Sequence, residues 1–133
     1  MMPVFTYILF AIFGLFFLYT SIMSFRQPAG FARSLSLEAV GRSGRVEIRA
    51  QYGGFFFAAA LSQFAPLVDL IPAHTALFVA LVIFGGLIIG RIAGLFFGAD
   101  REALTPVIRN LFWIDAAGTI LAISGLLTTQ QGN

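Results

Sequence analysis

Four apolar stretches decide what this chain can fold into, because each is long enough to cross a bilayer as one helix. They are residues 3–25, 46–65, 75–97 and 106–127. A hydrocarbon core of about 30 Å is crossed by roughly 20 helical residues. Of the 133 residues, 59% are hydrophobic and 11% are charged, which is too apolar for a soluble domain of this size. We therefore expect one all-α domain, residues 1–133, folded as an antiparallel bundle of four transmembrane helices.

The loop between the first two spans is rich in arginine, proline, glycine and serine. Its apolar residues have a loose helical spacing that predicts a short amphipathic segment on the membrane surface: Phe31, Leu35, Leu37 and Val40. Pro28 stands near the start of this segment, where proline suits a first helical turn. A fully solvated loop is an equal alternative.

The basic residues predict the orientation of the chain. All are arginine; five lie between residues 26 and 49 and three between residues 91 and 109. None lies near either chain end or between the second and third spans. Because basic residues are retained on the cytoplasmic side, we expect both termini outside the cytoplasm.

The third span contains a glycine repeat within the sequence FGGLIIGRIAGLFFG. Glycine recurs there at every fourth position: Gly86, Gly90, Gly94 and Gly98. In lipid this glycine zipper forms a groove that lets a neighbouring helix approach closely. Three more glycines are expected at helix contacts: Gly53, Gly54 and Gly118. We expect the small-residue faces of spans two, three and four to pack together, with span one more peripheral.

Charged side chains enter the predicted cytoplasmic leaflet on three spans. Arg91 interrupts the glycine repeat, and Asp115 lies about 13 Å into the fourth span at the rise of an α-helix. An isolated charge at the bilayer centre costs roughly 3 kcal/mol on insertion scales. We therefore expect Arg91 to pair with Asp115, and Arg49, Gln51 and Tyr52 to complete a hydrogen-bonded cluster.

Three roles for this cluster stay open. It locks the register of the bundle, which is the favoured role, or it binds an anion such as a lipid head group through its arginines and Tyr52. In the third, a poorly paired Asp115 carries a proton. Enzymatic activity ranks below these, because no histidine, cysteine or second acid is spaced to make a nucleophile and base.

Cofactors and nucleic acid are not expected as partners. The chain has no cysteine, and His74 is its single histidine, so it offers neither a metal site nor two axial ligands for haem. A net charge of +2 without a basic face on a soluble surface is not the footprint of a nucleic-acid-binding protein.

Three short motifs carry a resemblance: ProAlaGlyPhe at 28–31, ArgAlaGlnTyrGlyGly at 49–54 and GlyArgIleAlaGly at 90–94. With them, nearly the whole chain resembles a family of small bacterial four-span membrane proteins of unknown function, some of them labelled phage infection protein. The resemblance implies an inner-membrane protein and supplies no catalytic residues. Its recurring positions would be Arg49, Tyr52, Gly53, Gly54, Gly90 and Arg91.

The function predicted from these patterns is non-enzymatic. We expect a component of the bacterial cytoplasmic membrane that binds membrane lipid, another membrane protein or a second copy of itself. The alternative is a small transporter or channel that uses Asp115 and Arg91. It would have to oligomerise, because four helices enclose little space.

Overall fold

The computed structural model describes residues 2–98 and 102–131. Its α-helices are α1 (Val4–Arg26), α2 (Pro28–Ser34), α3 (Gly41–Ile48), α4 (Phe55–Phe64), α5 (Ala73–Phe97) and α6 (Pro106–Gln131). A π-helical segment, Arg49–Gly54, joins α3 to α4, and a 3₁₀ turn, Ala65–Val68, follows α4. The described residues contain no strand, so the all-α class is confirmed.

Among the described residues, three helices are long and apolar enough to cross a membrane: α1, α5 and α6. Their bounds agree within a few residues with the predicted spans 3–25, 75–97 and 106–127, apart from a longer C-terminal end of α6. Such helices are typical of a membrane protein. A fourth membrane crossing and the four-span bundle stay predictions.

The remaining predicted span, residues 46–65, is helical throughout but changes its winding. The run from Gly41 to Val68 passes from α to π, back to α and then to 3₁₀. The π segment ends in the pair Gly53 and Gly54, and glycine weakens an α-helix more than any residue except proline. Pro66 lies in the first turn of the 3₁₀ segment, where its missing N–H costs little. The run ends at Asp69, whose φ of 56° is left-handed.

The chain divides into two compact units. The first contains residues 1–9 and 72–133, and the second contains residues 10–71. The boundary falls inside α1, between Leu9 and Phe10. The predicted single domain of residues 1–133 stays a prediction.

In the first unit, α5 and α6 pack antiparallel. Leu77 contacts the backbone at Gly125, and Phe84 contacts it at Gly118, so positions rise along one helix as they fall along the other. Leu77, Phe84 and Ala122 are buried. Gly118 and Gly125 therefore let large side chains of α5 pack directly against the backbone of α6.

In the second unit, the later part of α1 runs antiparallel to the π segment and α4. The ring of Phe64 covers Gly14, and the ring centroids of Phe17 and Phe56 are 5.6 Å apart. The expectation that span one is peripheral is wrong: the apolar window of α1 is 39% buried, against 22% in both α5 and α6. Phenylalanine around this helix fills a core, because rings such as Phe17 are fully buried.

The predicted segment after span one is helical only in its first part. Pro28 begins α2 as expected, and the ring of Phe31 lies 5.2 Å from that of Tyr52. The helix ends at Ser34, and Leu37 and Val40 lie beyond it with exposed side chains. The predicted apolar face is therefore broken in the middle of the loop.

Candidate functional site

Arg91 and Asp115 form an ion pair between α5 and α6. The antiparallel packing brings these positions opposite each other, and Nη1 of Arg91 contacts Oδ2 of Asp115. The side chain of Asp115 is 2% exposed and that of Arg91 is 22% exposed. The predicted pairing of the two charges is confirmed.

The pair lies well inside both helices. At roughly 1.5 Å per residue, Arg91 is about 9 Å from the end of α5 at Phe97, and Asp115 is about 13 Å from the start of α6 at Pro106. About one helical turn after Asp115, an added Cβ at Gly118 would lie 2.6 Å from the ring of Phe84. This glycine, as predicted, is a helix contact, and it lets the two backbones approach closely enough for the charges to meet.

The glycine repeat of α5 does not contribute to this packing. An added Cβ at Gly86, Gly90 or Gly94 would meet no atom within 4 Å, and all three residues are exposed. Gly98 lies one position beyond the end of α5 in extended backbone, with φ of −89° and ψ of 141°. The expected packing of these glycines is therefore not found within their unit. The glycine face, defined here as Gly86, Gly90 and Gly94, points away from α6.

Arg49 and Tyr52, the other predicted binding residues, belong to the second unit and have partners there. Nε of Arg49 donates a hydrogen bond of 3.1 Å to the carbonyl oxygen of Phe25. The ring of Tyr52 lies between two phenylalanines, with centroid distances of 5.2 Å to Phe31 and 6.4 Å to Phe56. The structure thus places Arg91 with Asp115 in one unit and holds Arg49 and Tyr52 in the other.

The π segment is hydrogen-bonded to the end of α1 and packs against it. The hydroxyl of Ser21 donates a 2.8 Å hydrogen bond to the carbonyl oxygen of Gly53, and the ring of Phe25 lies 3.0 Å from where a Cβ would stand on that glycine. Gly53 is therefore a contact glycine, as predicted. Gly54 is exposed, and its added Cβ would reach only the carbonyl of Arg49 in its own helical run.

Sequence reasoning missed Ser21, which is 1% exposed and joins α1 to the π segment. A serine in an apolar span is the available signal, because serine hydroxyls often bond across helices in lipid. The signal is weak, since a hydroxyl can equally bond within its own helix, as Thr20 does to Phe16.

Among residues 2–98 and 102–131, no group of three or more His, Asp or Glu side chains lies close enough together to hold a metal ion. His74 is exposed at the start of α5. What the described residues offer instead is a paired charge inside the first unit and the unoccupied glycine face beside it.

No protein family matches the chain, and neither curated proteins nor solved structures give a match. The resemblance to the four-span bacterial family therefore stays a prediction.

Proposed function

We propose that the protein is a non-enzymatic membrane component whose helix α5 binds another transmembrane helix on the glycine face. The observation that carries this proposal is the open space beside Gly86, Gly90 and Gly94. In lipid, helices associate by close van der Waals packing, and small residues at every fourth position are the usual surface for it.

The glycines at contacts within the units support this interpretation. Gly118 lies under the ring of Phe84, and Gly53 lies under the ring of Phe25. Where this chain brings helices close, a glycine admits the neighbour. The glycine face has the same composition and has no such neighbour among the described residues of its own unit.

A second copy of the chain is the partner we favour. A close crossing needs small residues on both helices, and the glycine face of a second copy supplies them. A two-fold symmetric contact then uses the same surface twice. The Arg91–Asp115 pair acts within each copy by holding α5 against α6, which supports the structural role of the pair over anion binding or proton transfer.

We further propose that the chain is a four-span protein of a bacterial cytoplasmic membrane with both termini outside the cytoplasm. Residues 41–68 are helical without a gap, and the stretch 46–65 is long enough to cross the hydrocarbon core. The arginines on either side of it follow the positive-inside rule.

Cysteine cross-linking tests the partner, because the natural chain has no cysteine. Ala93 lies beside the glycine face, one residue before Gly94. We expect Ala93→Cys to form a disulfide-linked dimer in membranes and Gly90→Ile in the same chain to abolish it, since the larger side chain separates the helices.

Gly85→Ile is the matched control. Gly85 lies on the same helix and also has open space beside it, but it points elsewhere, about 140° from Gly90 at 100° per residue. The dimer should persist in this variant. A dimer unaffected by Gly90→Ile, or a wild-type chain that stays monomeric in the membrane, would overturn self-association through this face.

A small oligomeric transporter or channel is the second candidate, favoured by the buried carboxylate of Asp115 deep inside α6. Flux of protons or solute in proteoliposomes distinguishes it. Flux that is lost in Asp115→Asn and retained in Arg42→Gln, a change at an exposed position of α3, would replace our proposal.

A further inference from the structure

A groove runs between α5 and α6 in the first unit. Its volume is about 350 Å³, and it is lined by Ile88, Leu95, Leu104, Arg109, Phe112, Trp113 and Ala116. Small-ligand sites begin at roughly 300 Å³, so the groove suits a slender occupant. Apart from Arg109, every lining residue is apolar or aromatic.

The cationic residue of the groove contributes its aliphatic stem to the lining. The groove surface is almost wholly apolar, although Arg109 is part of it. The charged guanidinium therefore lies outside the apolar surface, as is usual for arginine at a membrane interface, where the stem stays in the apolar layer and the head reaches polar surroundings. Arg109 forms no ion pair with any residue of the described ranges.

The start of α6 adds to the positive potential at this end of the groove. Arg109 stands in the first turn after Pro106, and its backbone N–H bonds to the carbonyl of Thr105 at 3.0 Å. The N-terminus of a helix carries a partial positive charge. An anion near Arg109 would therefore be attracted by the side chain and by the helix.

We propose that this groove binds an anionic phospholipid. One acyl chain lies along Ile88, Leu95 and Phe112, and the phosphate pairs with the guanidinium of Arg109. The apolar lining selects a hydrocarbon chain, and the arginine at its rim selects the negative head group. The proposal uses the opposite side of α5 from the glycine face, so it does not depend on dimer formation.

Trp113 makes the proposal directly measurable, because it lines the groove and is the single tryptophan of the chain. The protein is reconstituted in vesicles that contain equal mole fractions of phosphatidylglycerol and phosphatidylcholine. Either the first or the second lipid carries brominated acyl chains, which quench tryptophan on contact. We expect phosphatidylglycerol to be enriched about fivefold beside Trp113, which corresponds to about 1 kcal/mol for one arginine near an anionic head group.

Three variants separate a site from general attraction. Arg109→Gln should remove the preference for phosphatidylglycerol, and Arg109→Lys should retain most of it because the charge is kept. Arg42→Gln removes an equal charge from α3 and should leave the preference unchanged.

Equal quenching by the two lipids in the wild type would overturn the proposal. A preference that survives Arg109→Gln, or one that Arg42→Gln removes to the same extent, would also overturn it. Brominated fatty acid that quenches as strongly as phosphatidylglycerol would overturn the assignment to a phospholipid. Cross-linking of Ala93→Cys is read independently, so the failure of one proposal does not decide the other.

Discussion

Arg91 and Asp115 are buried to different degrees, and this difference predicts which single substitution costs more. Arg91→Leu leaves the carboxylate of Asp115, which is 2% exposed, without its cation. Removing one partner of a buried pair costs roughly 3 kcal/mol or more. Asp115→Asn should cost less, because the side chain of Arg91 is 22% exposed and its long stem lets the charge reach the interface.

Unfolding of the protein in mild detergent by added SDS measures both losses. The double variant Arg91→Leu with Asp115→Leu should regain most of the stability, because no uncompensated charge remains. Equal losses in the two single variants would contradict the asymmetry.

Gly118 and Gly85 give a second prediction, because the same substitution meets a ring at one position and open space at the other. Gly118→Ala places a methyl group 2.6 Å from the ring of Phe84. We expect a loss of about 1–3 kcal/mol, as for overpacking elsewhere. Gly85→Ala meets no atom within 4 Å and should be neutral or slightly stabilising. The same SDS titration measures both, and similar losses would contradict the packing of α5 on α6.

The sequence predicted a single contact best where the free-energy cost of leaving its groups unpaired is high. The Arg91–Asp115 pair could be predicted, because a charge deep in an apolar helix is too costly to leave alone. The bond from Ser21 to Gly53 could not, since a serine hydroxyl satisfies itself at little cost within its own helix.

At the scale of the element, the contact between α1 and the π segment predicts a small, specific loss. Ser21→Ala removes the hydrogen bond to the carbonyl of Gly53. Interhelical hydrogen bonds in membrane proteins contribute about 0.6 kcal/mol on average. Ser124→Ala is the control, because its hydroxyl bonds to Ile120 in its own helix. Hydrogen exchange of the amides of residues 49–54 should quicken in Ser21→Ala only. Unchanged exchange there would show that the bond does not hold the segment.

Helical periodicity divided residues 46–65 into two faces but did not predict which of them is buried. The spacing predicts one small and polar stripe on this helix and a second group roughly opposite, with a partner helix on each side. The stripe contains Glu47, Gln51, Gly54, Ala58, Ser62 and Ala65, and the opposite group contains Arg49, Tyr52, Gly53, Ala60 and Gln63. In the opposite group Gly53, Ala60 and Gln63 are buried, whereas Gln51, Gly54 and Ala58 of the stripe are exposed. The spacing therefore separated exposed from buried positions correctly, but it did not predict which of the two sides a neighbouring helix covers.

The glycine repeat predicted close packing against spans two and four, which α6 does not provide. The four-residue spacing of Gly86, Gly90 and Gly94 specifies a smooth face. Which helix covers it depends on the direction of that face, and α6 packs against the side that carries Leu77 and Phe84. Spacing within one helix contains no information about the position of its neighbours.

At the scale of the whole molecule, the number of membrane crossings decides on which sides the termini lie. Four crossings put Met2 and Thr129 on one side and Ser43 on the other, whereas three crossings separate the two termini. We expect a membrane-impermeant maleimide to label Met2→Cys and Thr129→Cys from outside the cell, and Ser43→Cys only after lysis.

Labelling of just one terminus from outside would show that residues 46–65 do not cross the membrane. Because the natural chain has no cysteine, each variant reports a single position. Hydropathy predicted three helices that the described residues show to be long and apolar enough to cross a membrane, while the altered winding of the fourth stretch makes this experiment necessary.

The π segment also determines how α3, the helix before it, is rotated about the helix axis relative to α4. A π turn contains about one residue more than an α turn, so if residues 49–54 rewound as a continuous α-helix with no residue removed, residues 41–48 would rotate by up to about 100° relative to α4. Arg42 and Arg45 would then point in a different direction around the helix axis while α4 stayed in place. The π winding of this six-residue segment therefore determines which direction the charges of these two arginines face.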